Sequence, residues 1–480
     1  MFLFLSSCQN SNETANVSLE PSGLSGKKLA ELHCGGCHSF PKPELLPKKT
    51  WENGVLPEMA LRLGHGNYMG KMTSYDQDEL MAVIKSGTFP DAPLIAEEDW
   101  QKIVAYYGIN APDQLNENSL STTREMDSFS LKSLALPGPG VVATQYLPSQ
   151  KGVLISSFTN SYGKLSMNDL SSLTSVNKSE SPLVKIGFHS TYGEVQLEIG
   201  NLDPSEIPMG KLKAGNKILI ENLHRPSDML IADINEDGID DFIIASFGFL
   251  TGSLDWFDGK TFKKNMLSNE PGARVIYHLD FNKDGKKDIL VLLTQGKESI
   301  ILFKNVGKGL FEAETMVQFP PVYGSSYFEI QDFDKDGYYD FVYTNGDNAD
   351  YSIVKKPYHG VRILINDGKN KFSEKYFYPI NGASKVVSND FDKDGDIDMA
   401  VISYFPDKDR NEGFLYFEQI AENKFDVKSK KNVSNRKWLT LDYGDFDNNN
   451  TTDFVLGTLN KNQRRKSSED PVVILFGKGK

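Results

Sequence analysis

The 480-residue chain is too long for one small domain and has room for two or three. Its balance of 52 Lys+Arg against 65 Asp+Glu excludes the basic face of a nucleic-acid binder. Three cysteines exclude a disulfide scaffold, and 40 glycines with 11% aromatics at a mean hydropathy of −0.40 fit a soluble, turn-rich, largely β protein.

The chain begins Met1-Phe2-Leu3-Phe4-Leu5-Ser6-Ser7-Cys8. This apolar run is too short to span a bilayer and reads as the tail of a secretory segment. Leu5-Ser6-Ser7-Cys8 resembles the bacterial lipobox, which implies lipidation at Cys8, and no basic region precedes it, which sets the expected true start upstream. Residues 1–19 are then a signal remnant and tether, polar from 9 to 18. Two or three acyl chains would hold such a protein on a membrane where one would not.

Residues 20–112 read as a small all-α domain. Ser25 caps a short helix carrying Leu29 and Leu32, expected on one face. Cys34-Gly35-Gly36-Cys37-His38 then follows, the attachment signature for haem c. Two thiols at this spacing reach the two vinyl groups on one porphyrin edge, and the adjoining imidazole sits beneath the iron. A zinc site needs two more ligands at metal spacing, and no second C-x-x-C exists. Residues 50–63 predict an amphipathic helix with Trp51, Val55, Met59 and Leu63 at four-residue intervals and Pro57 near its start. Residues 97–107 predict a last helix with Trp100, Ile103, Val104 and Tyr107 inward.

This region resembles cytochrome c domains, in which first and last helices cross and an aromatic packs on a small residue. The resemblance implies one haem held by Cys34, Cys37 and His38, with Met59 or Met72 as sixth iron ligand. Met59 lies on a helix like those facing the haem in small cytochromes. Met72-Thr73-Ser74-Tyr75 resembles the Met-Pro loop of other cytochromes, but Thr73 replaces the proline. A thioether ligand raises the potential relative to a second imidazole. Met69 and Met81 are expected to fill core gaps. His65, flanked by glycines, could give a second imidazole but reads as a surface loop residue.

Residues 113–127 form a polar linker, and 128–480 are a repeat. One pattern, Asp-x-Asx-x-Asp-Gly-x-x-Asp followed by an apolar run, recurs five times, the last copy with Asn449 at its fifth position. The copies are Asp233, Asn235, Asp237, Asp241; Asp280, Asn282, Asp284, Asp288; Asp332, Asp334, Asp336, Asp340; Asp390, Asp392, Asp394, Asp398; and Asp445, Asp447, Asn449, Asp453. The sixth position is Gly238, Gly285, Gly337, Gly395 and, in the last copy, Asn450. The copies begin 47, 52, 58 and 55 residues apart, the length of one four-stranded blade with its loops. A hairpin ending in Phe262, Phe311, Phe372 or Phe425 follows each of the first four.

Oxygens at positions 1, 3, 5 and 9, with the carbonyl of position 7, can wrap one hard cation, and flexible coordination by oxygen suits Ca²⁺. An EF-hand needs Glu at position 12, where the first copy has Ile244. Three or four carboxylates in one loop repel one another unless a cation offsets them. The pattern resembles the FG-GAP/VCBS repeat of integrin-α-like propellers from about residue 228 onward, which implies an all-β propeller with up to five Ca²⁺. Residues 128–227 lack the motif but show strand-like runs at 140–145, 151–158, 164–167, 183–187 and 217–221, enough for two more blades. Seven blades are expected, with six the alternative, and 471–476 is expected to close the ring with an N-terminal strand.

Haem on a tethered domain implies electron transfer to or from a redox partner protein or a quinol/oxidase chain. The propeller implies docking of a partner, an extracellular ligand or a glycan. The combination resembles exported lipoproteins of Gram-negative, Bacteroidetes-like bacteria, placing the protein in the periplasm or at the cell surface. Two alternatives stand beside this electron carrier: a dehydrogenase oxidising a sugar or alcohol in the propeller, and an adhesion or glycan-binding lipoprotein. For the dehydrogenase there is no quinone motif, adjacent Cys pair or dinucleotide fingerprint, and His189, His224, His278 and His359 read as structural.

Overall fold

A computed structural model describes residues 19–36, 38–117, 123–136, 140–167, 169–348, 352–407, 409–460 and 470–478. Cys8 and Cys37 lie outside these residues.

Runs such as Asp241–Ser246, Asp288–Leu293 and Asp398–Ser403 are buried along their whole length. A strand covered on both faces reads as a continuous apolar run rather than an alternating one. Each is the second strand of an antiparallel sheet, and the described residues form seven such sheets. Blades I to VII span 141–178, 183–223, 226–268, 273–318, 325–379, 383–429 and 440–477. Seven, not six, is the blade number.

Blade VII takes its outer strand from the other end of the repeat. Phe129–Leu134 pairs antiparallel with Val472–Gly477, from Phe129↔Gly477 to Leu134↔Val472. Just before it, within the predicted linker, Arg124–Glu125 adds a parallel edge to blade VI. The closure expected of 471–476 is therefore present, made by a strand the sequence reading did not assign.

The core is a set of wedges between neighbouring blades. The VI–VII wedge is rich in aromatics, with Phe129, Phe414, Tyr416, Trp438 and Phe454. The wedge between the motif-free blades I and II is smaller, built on Leu147, Leu154, Leu183 and Ile186.

The N-terminal segment is helical. Ser25 caps Gly26–His33 by accepting from the Lys28 amide. This helix lies against Glu97–Asn110, and the contact is backbone-close: a Cβ on Gly26 would sit 2.2 Å from the Lys102 carbonyl oxygen. That approach turns Leu29 and Ala30 inward and leaves Leu32 56% exposed, so Leu29 and Leu32 do not share a buried face. The predicted helix 50–63 is split. Pro57 has no N–H to give, and the chain before it widens into a π turn, Trp51–Val55, with Leu56 N–H reaching the Trp51 carbonyl. Met69 and Met81 are 44% and 42% exposed and fill no core gap. Among the described residues no helix is long and apolar enough to cross a membrane.

Antiparallel order fixes which loops share a propeller face. The Asp-rich loops join first to second strands and lie with the hairpins joining third to fourth. The helical segment contacts loops of the opposite face: Tyr358 Oη donates to the Leu45 carbonyl (2.9 Å), Glu79 accepts from Ser205 Oγ (2.6 Å), and Val322 is buried in the cluster that holds Cys34.

Candidate haem and cation sites

Cys34 ends the first helix, its amide on the Ala30 carbonyl (2.9 Å), and is 9% exposed. It packs with Leu29, Leu46, Trp51, Leu56 and Tyr107. Trp51 and Tyr107 are fixed there by bonds to the Pro43 and Pro41 carbonyls (both 2.8 Å).

His38 is also 9% exposed, and its Nδ1 lies 3.0 Å from the Ser39 carbonyl oxygen. A carbonyl can only accept, so Nδ1 carries the proton and Nε2 keeps its lone pair. Burial above all, with the nearby Arg62 charge, holds the His38 pKa below the usual imidazole range. A neutral imidazole with Nδ1–H on a carbonyl is the form an axial iron ligand takes. The donor set therefore suits an iron porphyrin.

The three sixth-ligand candidates separate. Met59 is half-buried against the cluster that contains Cys34. Met72, 4% exposed, belongs to another cluster with Val83 and Phe89, against which Leu250 of blade III packs. His65 is no surface residue. It is 7% exposed, its Nδ1 lies 3.0 Å from a Glu97 carboxylate oxygen, its ring stacks on Trp100, and its buried Nε2 has no hydrogen-bond partner. The glycines that made it look exposed, Gly64 and Gly66, both have positive φ and fold the loop inward.

The five Asp-rich loops share one geometry. Position 6 has positive φ in each, from 86° at Gly238 to 99° at Gly395, and Asn450 follows at 63°. Position 4 is also left-handed, at Glu236, Lys283, Lys335, Lys393 and Asn448. Apart from Asn448, these side chains give no hint of that in the sequence. The position-1 carboxylate caps the turn, as in Gly238 N–H to Asp233 (2.9 Å) and Asn450 N–H to Asp445 (3.0 Å).

Position 9 does more than the sequence suggested. Asp241, Asp288, Asp340, Asp398 and Asp453 have no exposed surface, and each ties its loop to the third strand of the blade or the turn after it. Asp340 accepts from the Phe333 and Asn366 amides (both 2.8 Å), and Asp453 from those of Phe446 (2.6 Å) and Gly477 (2.9 Å). Lysines at position 4 link successive loops: Lys283 donates to the Gly337 carbonyl, Lys335 to Gly395 (2.8 Å) and Lys393 to Asn450 (2.9 Å).

In three loops the carboxylates converge. Oxygens of Asp332, Asp334 and Asp340, of Asp390, Asp392 and Asp394, and of Asp445, Asp447 and Asp453 lie within 4.8 Å of one another in each set. Blades III and IV carry Asn235 and Asn282 at position 3, whose amide oxygens accept from the Asp237 and Asp284 amides (both 2.9 Å). Asp332 Oδ1 and Asp390 Oδ1 are buried and unpaired. Burial, reinforced by neighbouring carboxylates, pushes Asp340 and Asp453 up to about 6 and Asp398 to about 7. Orphaned oxygens beside carboxyls that resist ionising are what a hard cation relieves.

Residues 280–343, which run from the second Asp-rich loop through the third, match the family model described as FG-GAP-like repeat. No curated protein matches the chain. Among solved structures, the N-terminal domain of Nup159 aligns at TM-score 0.41 and 11% identity over 75% of this chain and 98% of that one. The Neurospora crassa Pan2 WD40 domain aligns at TM-score 0.46 and 12% identity over 74% and 98%. The chain thus carries an FG-GAP-like repeat within a seven-bladed β-propeller.

Proposed function

We propose that this is an exported, lipid-tethered c-type cytochrome whose calcium-stabilised propeller binds a partner or ligand. The observation that carries the proposal is His38: a buried imidazole, protonated at Nδ1 and open at Nε2, which in the sequence follows Cys34 and Cys37 at haem c spacing. Cys34 and Cys37 would hold the porphyrin edge and His38 the iron. Bound there, the group supplies a one-electron couple. The chain's own part is to shield it: Trp51, Leu56 and Tyr107 exclude water around Cys34, and the Ser39 carbonyl fixes the His38 ring.

Met59, beside the Cys34 cluster, is the sixth ligand in this reading and Met72 the alternative. One observation favours a different ligation. His65 Nε2 is buried and unpaired while Glu97 orients the ring, as a carboxylate does for histidines that bind metal.

In the propeller, Asp332/Asp334/Asp340, Asp390/Asp392/Asp394 and Asp445/Asp447/Asp453 would hold Ca²⁺, with the loops of blades III and IV completing the five. Membrane attachment through Cys8 and electron exchange with a partner protein or quinol/oxidase chain belong to the same proposal.

Expression with haem-ligating machinery, followed by intact mass and the reduced absorption spectrum, tests it. One added porphyrin and a sharp c-type α band are expected, both lost in C34A/C37A. Protein matured this way without porphyrin mass refutes the cytochrome reading and leaves a calcium-loop propeller.

A further inference from the structure

Clefts open on the propeller face that carries the helical segment. One, about 470 Å³, lies between Glu79 and the 200–207 loop of blade II, and Glu79 is already engaged there by Ser205 Oγ and the Glu206 amide. Another, about 340 Å³, is different. It lies where the 352–359 loop of blade V, the crossing 379–381 into blade VI and linker residues 114–117 meet.

His359 lines this cleft, is 1% exposed, and neither ring nitrogen has a hydrogen-bond partner. The Tyr323 carbonyl stands beside the ring without reaching bonding geometry. Asn381 lines the same cleft, and its buried Oδ1 is unpaired although its Nδ2 donates to the Phe405 carbonyl (2.6 Å). Leaving such atoms buried and unsatisfied is costly, and a native site normally supplies the missing partner.

The cations lining the cleft are already engaged: Lys355 is paired with Asp407 (2.7 Å), Arg410 with Glu412 (3.3 Å), and Lys356 donates to Asn348 Oδ1 (3.1 Å), while Glu117 is exposed. Burial, with Lys356 and Arg362 close by, holds His359 well below the usual imidazole range, so it offers one donor and one acceptor. Asn381 Oδ1 offers an acceptor. The partner that satisfies a donor, an acceptor and a further acceptor at once is a set of hydroxyls. Pro357, Pro379 and Ile380 supply an apolar wall against which the C–H face of a ring can lie. The volume is at the small end for ligand sites.

We propose that this cleft binds a neutral sugar of one or two rings, with hydroxyls on His359 and Asn381. The proposal deepens the ligand-binding role of the propeller and does not depend on the haem.

Calorimetry on the full chain against D-glucose, D-galactose, D-mannose and their β-linked disaccharides tests it. At least one is expected to bind at submillimolar to millimolar concentration. His359→Phe and Asn381→Leu should each weaken binding tenfold or more. Leu115→Trp, a change at the half-buried mouth, blocks the cleft without touching the propeller core and should do the same if the first two variants fail to fold. No binding of any of these sugars overturns the proposal. Binding that all folded variants retain also overturns it, while sparing the propeller's broader binding role.

Discussion

Removing the proposed Ca²⁺ should reverse the pH dependence of propeller stability. In the cation-free protein, burial and like charge raise Asp340 and Asp453 from 3.8 to about 6 and Asp398 to about 7. A carboxyl whose folded value exceeds its unfolded one favours the folded state when protonated. That contribution is whole below about pH 4 and is lost as pH rises through 6 to 7. Raising one carboxyl from 3.8 to about 6 corresponds to about 3 kcal/mol at neutral pH, so three such groups lose several kcal/mol between pH 4.5 and 7.5 as an order of magnitude. With Ca²⁺ present the sign inverts, because the ion needs ionised oxygens. Each site filled at a hundredfold excess over its Kd adds about 2.7 kcal/mol. Thermal melts followed by circular dichroism, at pH 4.5 and 7.5, with metal-stripped and Ca²⁺-loaded protein, read this directly. The stripped protein should melt at a lower temperature at pH 7.5 than at pH 4.5, and the loaded protein at a higher one. Parallel pH trends in the two samples would refute the cation assignment.

Three further outcomes follow from the geometry. Gly395→Ala should cost about 1–2 kcal/mol in urea melts, because φ is 99° there and open space surrounds a new Cβ, so backbone strain acts alone; Gly395→Asn should cost less. Gly26→Ala drives a methyl into the Lys102 carbonyl and should cost about 1–3 kcal/mol in the unfolding of the helical segment, read from Trp51 and Trp100 fluorescence. In haem-loaded protein, Met59→Ala should abolish the weak long-wavelength sulfur-to-iron band while Met72→Ala preserves it; a wild-type protein lacking that band, with a spectrum altered only by His65→Ala, identifies bis-imidazole ligation instead.

The Asp-rich loops were readable because their chemistry fixes their spacing. Oxygens at alternate positions must converge, and the chain can turn that tightly only with a left-handed residue at position 6. Asn450 could stand in for glycine for the same reason. The left-handed position 4 was not readable, since Lys283 and Glu236 resemble any surface residue. Blades I and II showed five of their strands, but Asp169–Lys178, Gly193–Glu198 and Gly210–Ala214 escaped, having neither a bounding motif nor a strong apolar run. Single-residue burial was hardest. His65 and His359 are enclosed by segments distant in sequence, Glu97 and Trp100 for one and Tyr323 and Asn381 for the other. Leu32 faces outward because backbone packing at Gly26 turns Leu29 and Ala30 inward, Met69 because the short turns there bury Met72, and Met81 because its helix, Gln77–Ser86, buries Val83.

The closing ladder of blade VII also sets the order in which the molecule can be completed. Phe129–Leu134 leaves the ribosome more than three hundred residues before its partner Val472–Gly477. Until that partner emerges, the early strand has no neighbour on either side, and Phe129 lacks the Phe454 and Tyr416 rings it rests on. Blades I to VI can form as they are made, but the circle is sealed by the most distant strand pairing among the described residues, a slow step of high contact order. A nascent propeller therefore carries an open strand edge for most of its synthesis, and a chaperone that shields such an edge would act on 129–134 first.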